Sequence, residues 1–140
     1  MNEDTRELES FYDSIDADKA HELVTVPTGT EAQVAITNTK FAKDKNGNGY
    51  LMVYLTIVGE PFTKDITHFL WLPTGDDEKR DNQKLLAIRS FEKAFGITNQ
   101  IRRDREQWKG LTAWAILKEV DSETEYGMQN TIMKWVRSGK

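Results

Sequence analysis

The chain has no cysteine and little histidine or proline: its 140 residues include no cysteine, two histidines and three prolines. Without cysteine it can form neither disulfide bonds nor cysteine-bound metal sites, which fits a reducing compartment. His21 lies in a polar leader and His68 inside a strand-like segment, and a single strand histidine is far more often a packed residue than a catalytic base. Histidine chemistry is therefore not expected.

The usual signatures of common enzyme sites are also missing. There is no G-x-x-x-x-G-K-[ST] phosphate loop, no G-x-S-x-G elbow and no H-E-x-x-H helix. Acidic residues cluster at two places, Asp76-Asp77 and then Asp121, Glu123 and Glu125. Both clusters could hold magnesium in a nuclease, but both lie in predicted turns, where solvated acids are ordinary. We therefore expect no enzyme activity, no cofactor and no bound metal.

Long hydrophobic runs are absent as well. No apolar run approaches the roughly 20 residues that span a bilayer, and the acidic N-terminus lacks the basic and apolar regions of a signal peptide. We expect a cytoplasmic protein that does not bind membranes. With 38% hydrophobic residues and no strong internal linker, the chain can form one compact core.

Charge is unevenly distributed along the sequence. The first 22 residues hold eight acidic side chains against Arg6 and Lys19, a formal charge of −6. Subtracting this from the −4 of the whole chain leaves +2 for the rest. The pI of about 5.2 therefore averages two different regions. We divide the chain into an acidic N-terminal segment, residues 1–22, and a folded domain, residues 23–140.

The acidic segment has two interpretations. Leu8, Phe11, Tyr12 and Ile15 recur at i, i+3, i+4 and i+7, which is typical of a short amphipathic helix that docks on the domain. Alternatively, the segment is a mobile acidic arm. Such an arm could compete with nucleic acid for a basic groove, or it could recruit a partner protein through its aromatic residues.

Strand signals dominate the first half of the domain. A hairpin is predicted between Thr30 to Phe41 and Tyr50 to Val58, because Asn46-Gly47-Asn48-Gly49 supplies the positive φ values that tight turns need. Ile66 to Leu72 reads as a third strand that Pro73 ends. Within the second strand, Leu51, Val53, Leu55 and Ile57 alternate with more polar and aromatic residues. This period of two predicts one core face.

A helix is predicted over Arg80 to Phe95. It has an apolar stripe that should face the core, and Gly96 suits the left-handed position after the last turn. The stripe is Leu85, Ile88, Phe91 and Phe95. The start of the helix stays open, since Thr74, Asp76, Asp77 and Asp81 could each cap it.

Two more strands follow a basic connector, Ile101 to Lys109. They are Leu111 to Val120 and Met128 to Val136, and their apolar residues fall on both parities, so their facing stays open. Three strands, one helix and two further strands are the element order of small OB-type barrels. We therefore predict a mainly β fold, a five-stranded OB-fold barrel with one α-helix between strands three and four.

Aromatic and basic residues on the predicted strands indicate a binding surface. If the apolar residues of strand two face the core, Tyr50 and Tyr54 face outward, and Phe69 and Trp71 of strand three lie beside them. Lysines flank these rings, namely Lys40, Lys43, Lys45, Lys64, Lys118 and Lys134. Stacking aromatics with phosphate-neutralising cations are the components of single-stranded nucleic-acid sites.

The same residues allow plainer interpretations. Strand aromatics of small barrels are most often core residues or residues that close the ends of the barrel, which is the alternative for Phe41, Phe69, Trp108 and Trp135. Lysines in hairpins are usually only solvated. The runner-up function is a protein-interaction or assembly module without nucleic-acid affinity, because OB folds also bind proteins.

Several short motifs, in order, resemble those of bacteriophage OB-fold single-stranded DNA-binding proteins. They are Val26-Pro27-Thr28-Gly29, the Asn-Gly hairpin, Gly59-Glu60-Pro61-Phe62, Ala94-Phe95-Gly96-Ile97, Trp108-Lys109-Gly110-Leu111, and Tyr126-Gly127 to Asn130-Thr131-Ile132. The resemblance covers about residues 23 to 137. It implies sequence-independent binding and protection of single-stranded DNA in phage replication, recombination or repair, in the host cytoplasm.

One departure from this family concerns partner proteins. Many of its members end in an acidic tail that binds replication or recombination proteins, whereas this chain ends Lys134-Trp135-Val136-Arg137-Ser138-Gly139-Lys140. Its acidic residues are at the front instead. Any such partner would be recruited through residues 1–22, and the oligomeric state and the choice between DNA and RNA stay open.

Overall fold

The described part of the chain, residues 3–136 of a computed structural model, is mainly β with two α-helices. The strands are β1 (Glu31–Lys43), β2 (Gly49–Ile57), β3 (Ile66–Trp71), β4 (Thr112–Asp121) and β5 (Met128–Val136). The helices are α1 (Glu3–Ser14) and α2 (Glu78–Phe95), with short 3-10 turns at Ala17–Lys19 and Arg105–Trp108. The predicted order of strands and helix is confirmed. Residues 137–140, the basic end of the predicted domain, lie outside the described residues.

The five strands form one antiparallel sheet in the order β3-β2-β1-β4-β5. Within residues 3–136 no ladder joins the edge strands β3 and β5, so the sheet is not closed into a barrel. Instead, side chains connect these edges: the His68 ring on β3 lies 5.3 Å from the Trp135 ring on β5, and Phe91 of α2 packs against both at 5.9 Å. The five strands and the intervening helix are confirmed, whereas closure into a barrel is not seen.

Strand β1 is long enough to serve both halves of the sheet. Its first residues, Glu31 to Ala35, pair with β4, and Val34 to Lys43 pair with β2. The register with β2 shifts by one residue between Ile36 and Asn38, so Thr37 is the extra residue of a β-bulge. The inward parity therefore changes from even-numbered to odd-numbered residues along β1.

The β1–β2 hairpin turns through a loop closed by Asp44. The Gly47 N–H donates to the Asp44 carbonyl oxygen at 3.0 Å, and the Asp44 N–H donates to the Asn48 carbonyl oxygen at 2.9 Å. Gly47 has φ +86°, but Asn46 is not in the left-handed region. The hairpin prediction is confirmed, although only the glycine of the Asn-Gly pair supplies a positive φ.

The core lies on one face of the sheet. Leu51, Val53, Leu55 and Ile57 are all buried, as predicted. The facing of β4, left open by its sequence, is set by Ala113, Ala115 and Leu117, which are buried while their neighbours are not. Trp108, from the 3-10 turn after α2, is also buried, and its indole N–H donates to the Ile101 carbonyl oxygen at 3.0 Å.

Helix α2 begins after Asp77, whose carboxylate accepts hydrogen bonds from the N–H groups of Lys79 and Arg80. Its second half packs as predicted, because Phe91 and Phe95 are buried and Gly96 is left-handed at φ +69°. The prediction that Leu85 faces the core is wrong, since this side chain is 52% exposed. The apolar stripe of α2 contacts the core only in the last turns of the helix, and the first turns extend beyond the core.

Helix α1 forms at the predicted place but does not dock. Leu8, Phe11, Tyr12 and Ile15 are 52–75% exposed, and no other described helix or strand packs on them. The chain joins the domain only after this helix, where the His21 ring stacks on Phe62 at 3.9 Å and Val24 bridges Thr63. Neither described helix is long and apolar enough to cross a membrane.

Candidate nucleic-acid interface

The outer face of β1, β2 and β3 carries three rows of paired residues. Cross-strand partners point to the same side of a sheet, so the register defines these rows directly. They are Ala42–Tyr50–Trp71, Lys40–Met52–Phe69 and Asn38–Tyr54–Thr67. We call Tyr50, Tyr54, Phe69 and Trp71 the aromatic platform. All four predicted aromatic residues therefore share one surface, and Lys40 lies in the middle row with them.

Three rings of the aromatic platform contact one another. The Tyr50 ring centroid lies 4.8 Å from that of Trp71 and 5.5 Å from that of Phe69, with interplanar angles of 50° and 62°. Phe69 remains 46% exposed and Trp71 39% exposed. Tyr54 lies beyond Met52, whose sulfur accepts a 3.6 Å hydrogen bond from the tyrosine hydroxyl. Because these rings hold one another, little rotamer freedom is left to lose on ligand binding.

Positive charge is concentrated at the hairpin end of the platform. Lys40, Lys43 and Lys45 are exposed, and none forms a salt bridge within residues 3–136. Asp44 lies between two of them, and hydrogen bonds from the backbone N–H groups of Asn48 and Asn46 lower the pKa of its carboxyl. The carboxylate offsets one lysine at neutral pH. The hairpin and Lys40 together keep a net positive charge beside the rings.

Lys64 has a different environment from that expected of a phosphate-binding residue. Its ammonium donates hydrogen bonds to the carbonyl oxygens of Tyr126, at 3.0 Å, and Met128, at 2.7 Å. Both acceptors belong to the end of the β4–β5 turn. Lys64 thus connects the start of β3 to that turn, and at least two of its three donors are already used.

Lys118 and Lys134 lie on the other half of the sheet, on β4 and β5. Lys134 pairs with Ile116, which in turn pairs with Glu31. It also lines a groove of about 690 Å³ between α2 and the β4–β5 edge, together with Trp114. The structure therefore brings together Lys40 and the four aromatics and places Lys45 in the hairpin loop at the end of the platform. Lys43 lies at the same end of the sheet, but its pairing with Gly49 gives it the inward parity of Phe41. Lys64, Lys118 and Lys134 lie apart from the platform.

A cleft lined by arginines, which we call the arginine cleft, lies at the end of the core and was not predicted from the sequence. It has a volume of about 210 Å³ and is lined by residues that include Phe41, Leu72, Ile88, Arg102, Arg103 and Arg105. Phe41 is not part of the buried core, because its ring is 51% exposed and carries the Arg105 guanidinium 5.0 Å above its centroid. Phe41 points inward but lies at the end of β1, beyond the reach of Phe91. The basic connector was the only sequence signal for this cleft.

The described residues hold no group of three or more histidine, aspartate and glutamate side chains that could bind a metal ion. His68 packs against Phe91 and Trp135 on the inner face, where burial lowers its pKa from 6.5 to about 4. The imidazole is therefore neutral near pH 7. In comparisons with known proteins, no family model and no curated protein matches the chain.

Proposed function

We propose that this protein binds single-stranded DNA without catalysis and largely without sequence preference, using the aromatic platform and the lysines beside it. The observation that carries the proposal is the set of three rows on β1, β2 and β3, which combines four aromatic residues with Lys40 on one outer face. Bases stack on exposed rings whatever their identity, so such a surface accepts any sequence.

The energetics suit a single-strand ligand better than a duplex. Each base stacked on an aromatic side chain contributes about 1–3 kcal/mol, and duplex bases are not available for such stacking. Lys40, Lys43 and Lys45 would neutralise the phosphates that link the stacked bases. The small number of free cations implies moderate affinity for each site.

The architecture is consistent with an open form of the OB fold, which we propose for residues 23–136. OB folds bind oligonucleotides on the face of strands two and three, between the loop joining strands one and two and the loop joining strands four and five. Here the platform occupies β2 and β3, and the first of these loops carries Lys45 and follows Lys43, the last residue of β1. The resemblance to phage proteins supports the further proposal that this activity serves DNA replication, recombination or repair.

The proposal is tested by titrating the full chain with oligo-dT at several salt concentrations while following tryptophan fluorescence. We expect quenching, and an affinity that falls as salt rises. The variant Trp71→Phe should retain most of the affinity with less quenching, whereas Trp114→Phe should leave the quenching by Trp71 in place. Lack of binding, or affinity indifferent to salt, would contradict the proposal.

The exposed apolar side of α1 favours a second candidate, a protein-interaction module. This function predicts a stable protein complex and no affinity for oligo-dT. A duplex of matched length is the control in the same titration. Binding of neither polymer, with α1-dependent capture of a defined protein, would favour this second candidate.

A further inference from the structure

Two surfaces of this chain are exposed and complementary, yet do not contact each other. One is the apolar side of α1, and the other is the arginine cleft. We propose that α1 of one copy docks in the arginine cleft of a second copy. This inference concerns self-assembly and does not depend on nucleic-acid binding.

The first surface is an amphipathic helix with no partner. Leu8, Phe11, Tyr12 and Ile15 form one stripe with exposures of 69, 67, 75 and 52%. Acidic side chains such as Glu7, Glu9 and Asp13 border the stripe. A helix of this kind is stable in water only marginally without burial of its apolar face, so the stripe gains from a groove that covers it.

The second surface is apolar inside and basic at its rim. Phe41, Leu72 and Ile88 line the cleft. Arg102 is neutralised by Glu92 at 2.8 Å. Arg103 and Arg105 form no salt bridge within the described residues. An uncompensated positive rim therefore surrounds an apolar floor.

These properties select an acidic amphipathic helix as the occupant. Recognition of a helix in a groove uses apolar anchors at i, i+3, i+4 and i+7, which is the spacing of the α1 stripe. The arginines of the rim match the carboxylates beside the stripe, and charge complementarity of this sort sets partner and orientation. The chain itself supplies such a helix, with a formal charge of −6 over its first 22 residues.

The geometry favours a second copy over the same copy. The leader is fixed where His21 stacks on Phe62, at the start of β3, whereas Leu72 of the cleft follows its end. Six strand residues separate these ends, about 20 Å. The tether of residues 16–20 reaches only about 18 Å when fully extended, and it contains a 3-10 turn closed by Lys19 and Ala20 N–H donors. A second copy faces no such limit.

The contact is heterologous, because α1 and the cleft are different surfaces. After one such contact, one copy keeps a free cleft and the other keeps a free helix, so association can continue head to tail. A dimer with two-fold symmetry would instead stop at two copies. This difference gives the proposal a specific test.

The test is sedimentation velocity of the full chain from about 1 μM to about 1 mM, which covers weak to moderate affinities. Wild type should increase in mass with concentration, and less so at high salt. Two variants each remove one surface, Leu8→Ala with Phe11→Ala on α1 and Arg103→Glu at the cleft, and each alone should stay monomeric. Controls are Ser10→Ala on the opposite side of α1 and Arg89→Glu elsewhere on α2, which should behave as wild type.

Mixing the two surface variants is the decisive step. One offers an intact cleft and the other an intact α1, so the mixture should form a 1:1 dimer that does not grow. Circular dichroism of each variant confirms that both are folded. A wild type that stays monomeric, or a mixture that does not pair, overturns the proposal. So does an Arg103→Glu variant that assembles normally but binds oligo-dT more weakly, since the cleft would then belong to nucleic acid.

Discussion

The two faces of β2 and β3 are made of alternate residues of the same strands, yet their environments are opposite. On the inner face, Leu55 and Ile66 are almost completely buried, and on the outer face Phe69 and Trp71 are 46 and 39% exposed. Large apolar side chains therefore occur on both sides, but only one side is covered. Hydrophobicity alone therefore does not distinguish the residues that stabilise the fold from those available for binding, whereas their odd or even position along the strand does.

The strongest test of this difference removes a buried side chain. Leu55→Ala deletes a fully buried leucine, so we expect a loss of about 2–5 kcal/mol in the free energy of unfolding. Urea denaturation followed by circular dichroism measures it. At low temperature, where the variant remains folded, its affinity for oligo-dT should be close to that of wild type. A large loss of affinity in the folded variant would mean that the two faces are not separate.

Lowering the pH tests the inner face separately, because His68 is a titratable residue of that face. Its folded pKa of about 4 lies below the unfolded value of 6.5, so the unfolded chain binds a proton first. Protonation of His68 therefore does not lower the free energy of unfolding above pH 6.5. As the pH falls from 6.5 towards 4, it lowers this free energy by about 3 kcal/mol. Thermal unfolding across this range measures the loss, and His68→Leu should reduce it. An unchanged pH dependence in His68→Leu would assign the loss to other groups.

The outer face should respond in the opposite way. Trp71→Ala removes one stacking ring, so we expect oligo-dT affinity to fall by about 1–3 kcal/mol, with little loss of thermal stability. Trp114→Ala is the matched control, because Trp114 is also an exposed strand tryptophan, at 47%, but lies on β4. Equal effects of the two variants on affinity would show that the platform is not the binding surface.

The smallest effect concerns charge. Lys40→Gln removes the cation in the middle row of the platform, and the slope of log affinity against log salt should decrease by about 0.7 for one single-strand phosphate contact. Lys118→Gln makes the same change on the other half of the sheet and should leave the slope unaltered. If both changes reduce the slope equally, the DNA path extends across β1 to β4.

Much of this fold was predictable because β2 shows a simple alternation. Each of its buried residues has an exposed or half-exposed neighbour, so the period of two correctly identified the inner face and, by subtraction, the outer one. The hairpin was an equally local signal, whereas the sequence left the α2 cap open among four residues. Asp77 caps the helix through bonds to residues two and three positions later, and such contacts depend little on the rest of the chain.

The rest depends on contacts between distant segments. The apolar residues near α1 and on α2 both recur with a helical period, yet Phe91 is buried, Leu85 is half-exposed and Phe11 is exposed. Periodicity identifies an apolar side but not what covers it. The arginine cleft is composed of β1, α2 and the connector, so no single segment reveals it. Lys64 resembled a phosphate-binding residue until its two carbonyl acceptors were known.

The extra residue in β1 sets which of the following side chains lie with the aromatic platform. Val34 and Ile36 point inward, and if Thr37 were an ordinary ladder residue, the same alternation would carry Asn38 and Lys40 into the core and turn Phe41 towards the outer rows. The bulge shifts the alternation by one residue and so keeps the cation on the outer face. Deleting Thr37 would remove the extra residue but leave Asn38, Lys40 and Phe41 opposite the same β2 partners. The chain is therefore expected to tolerate this deletion, and any other residue at position 37, without losing its fold or its affinity for oligo-dT.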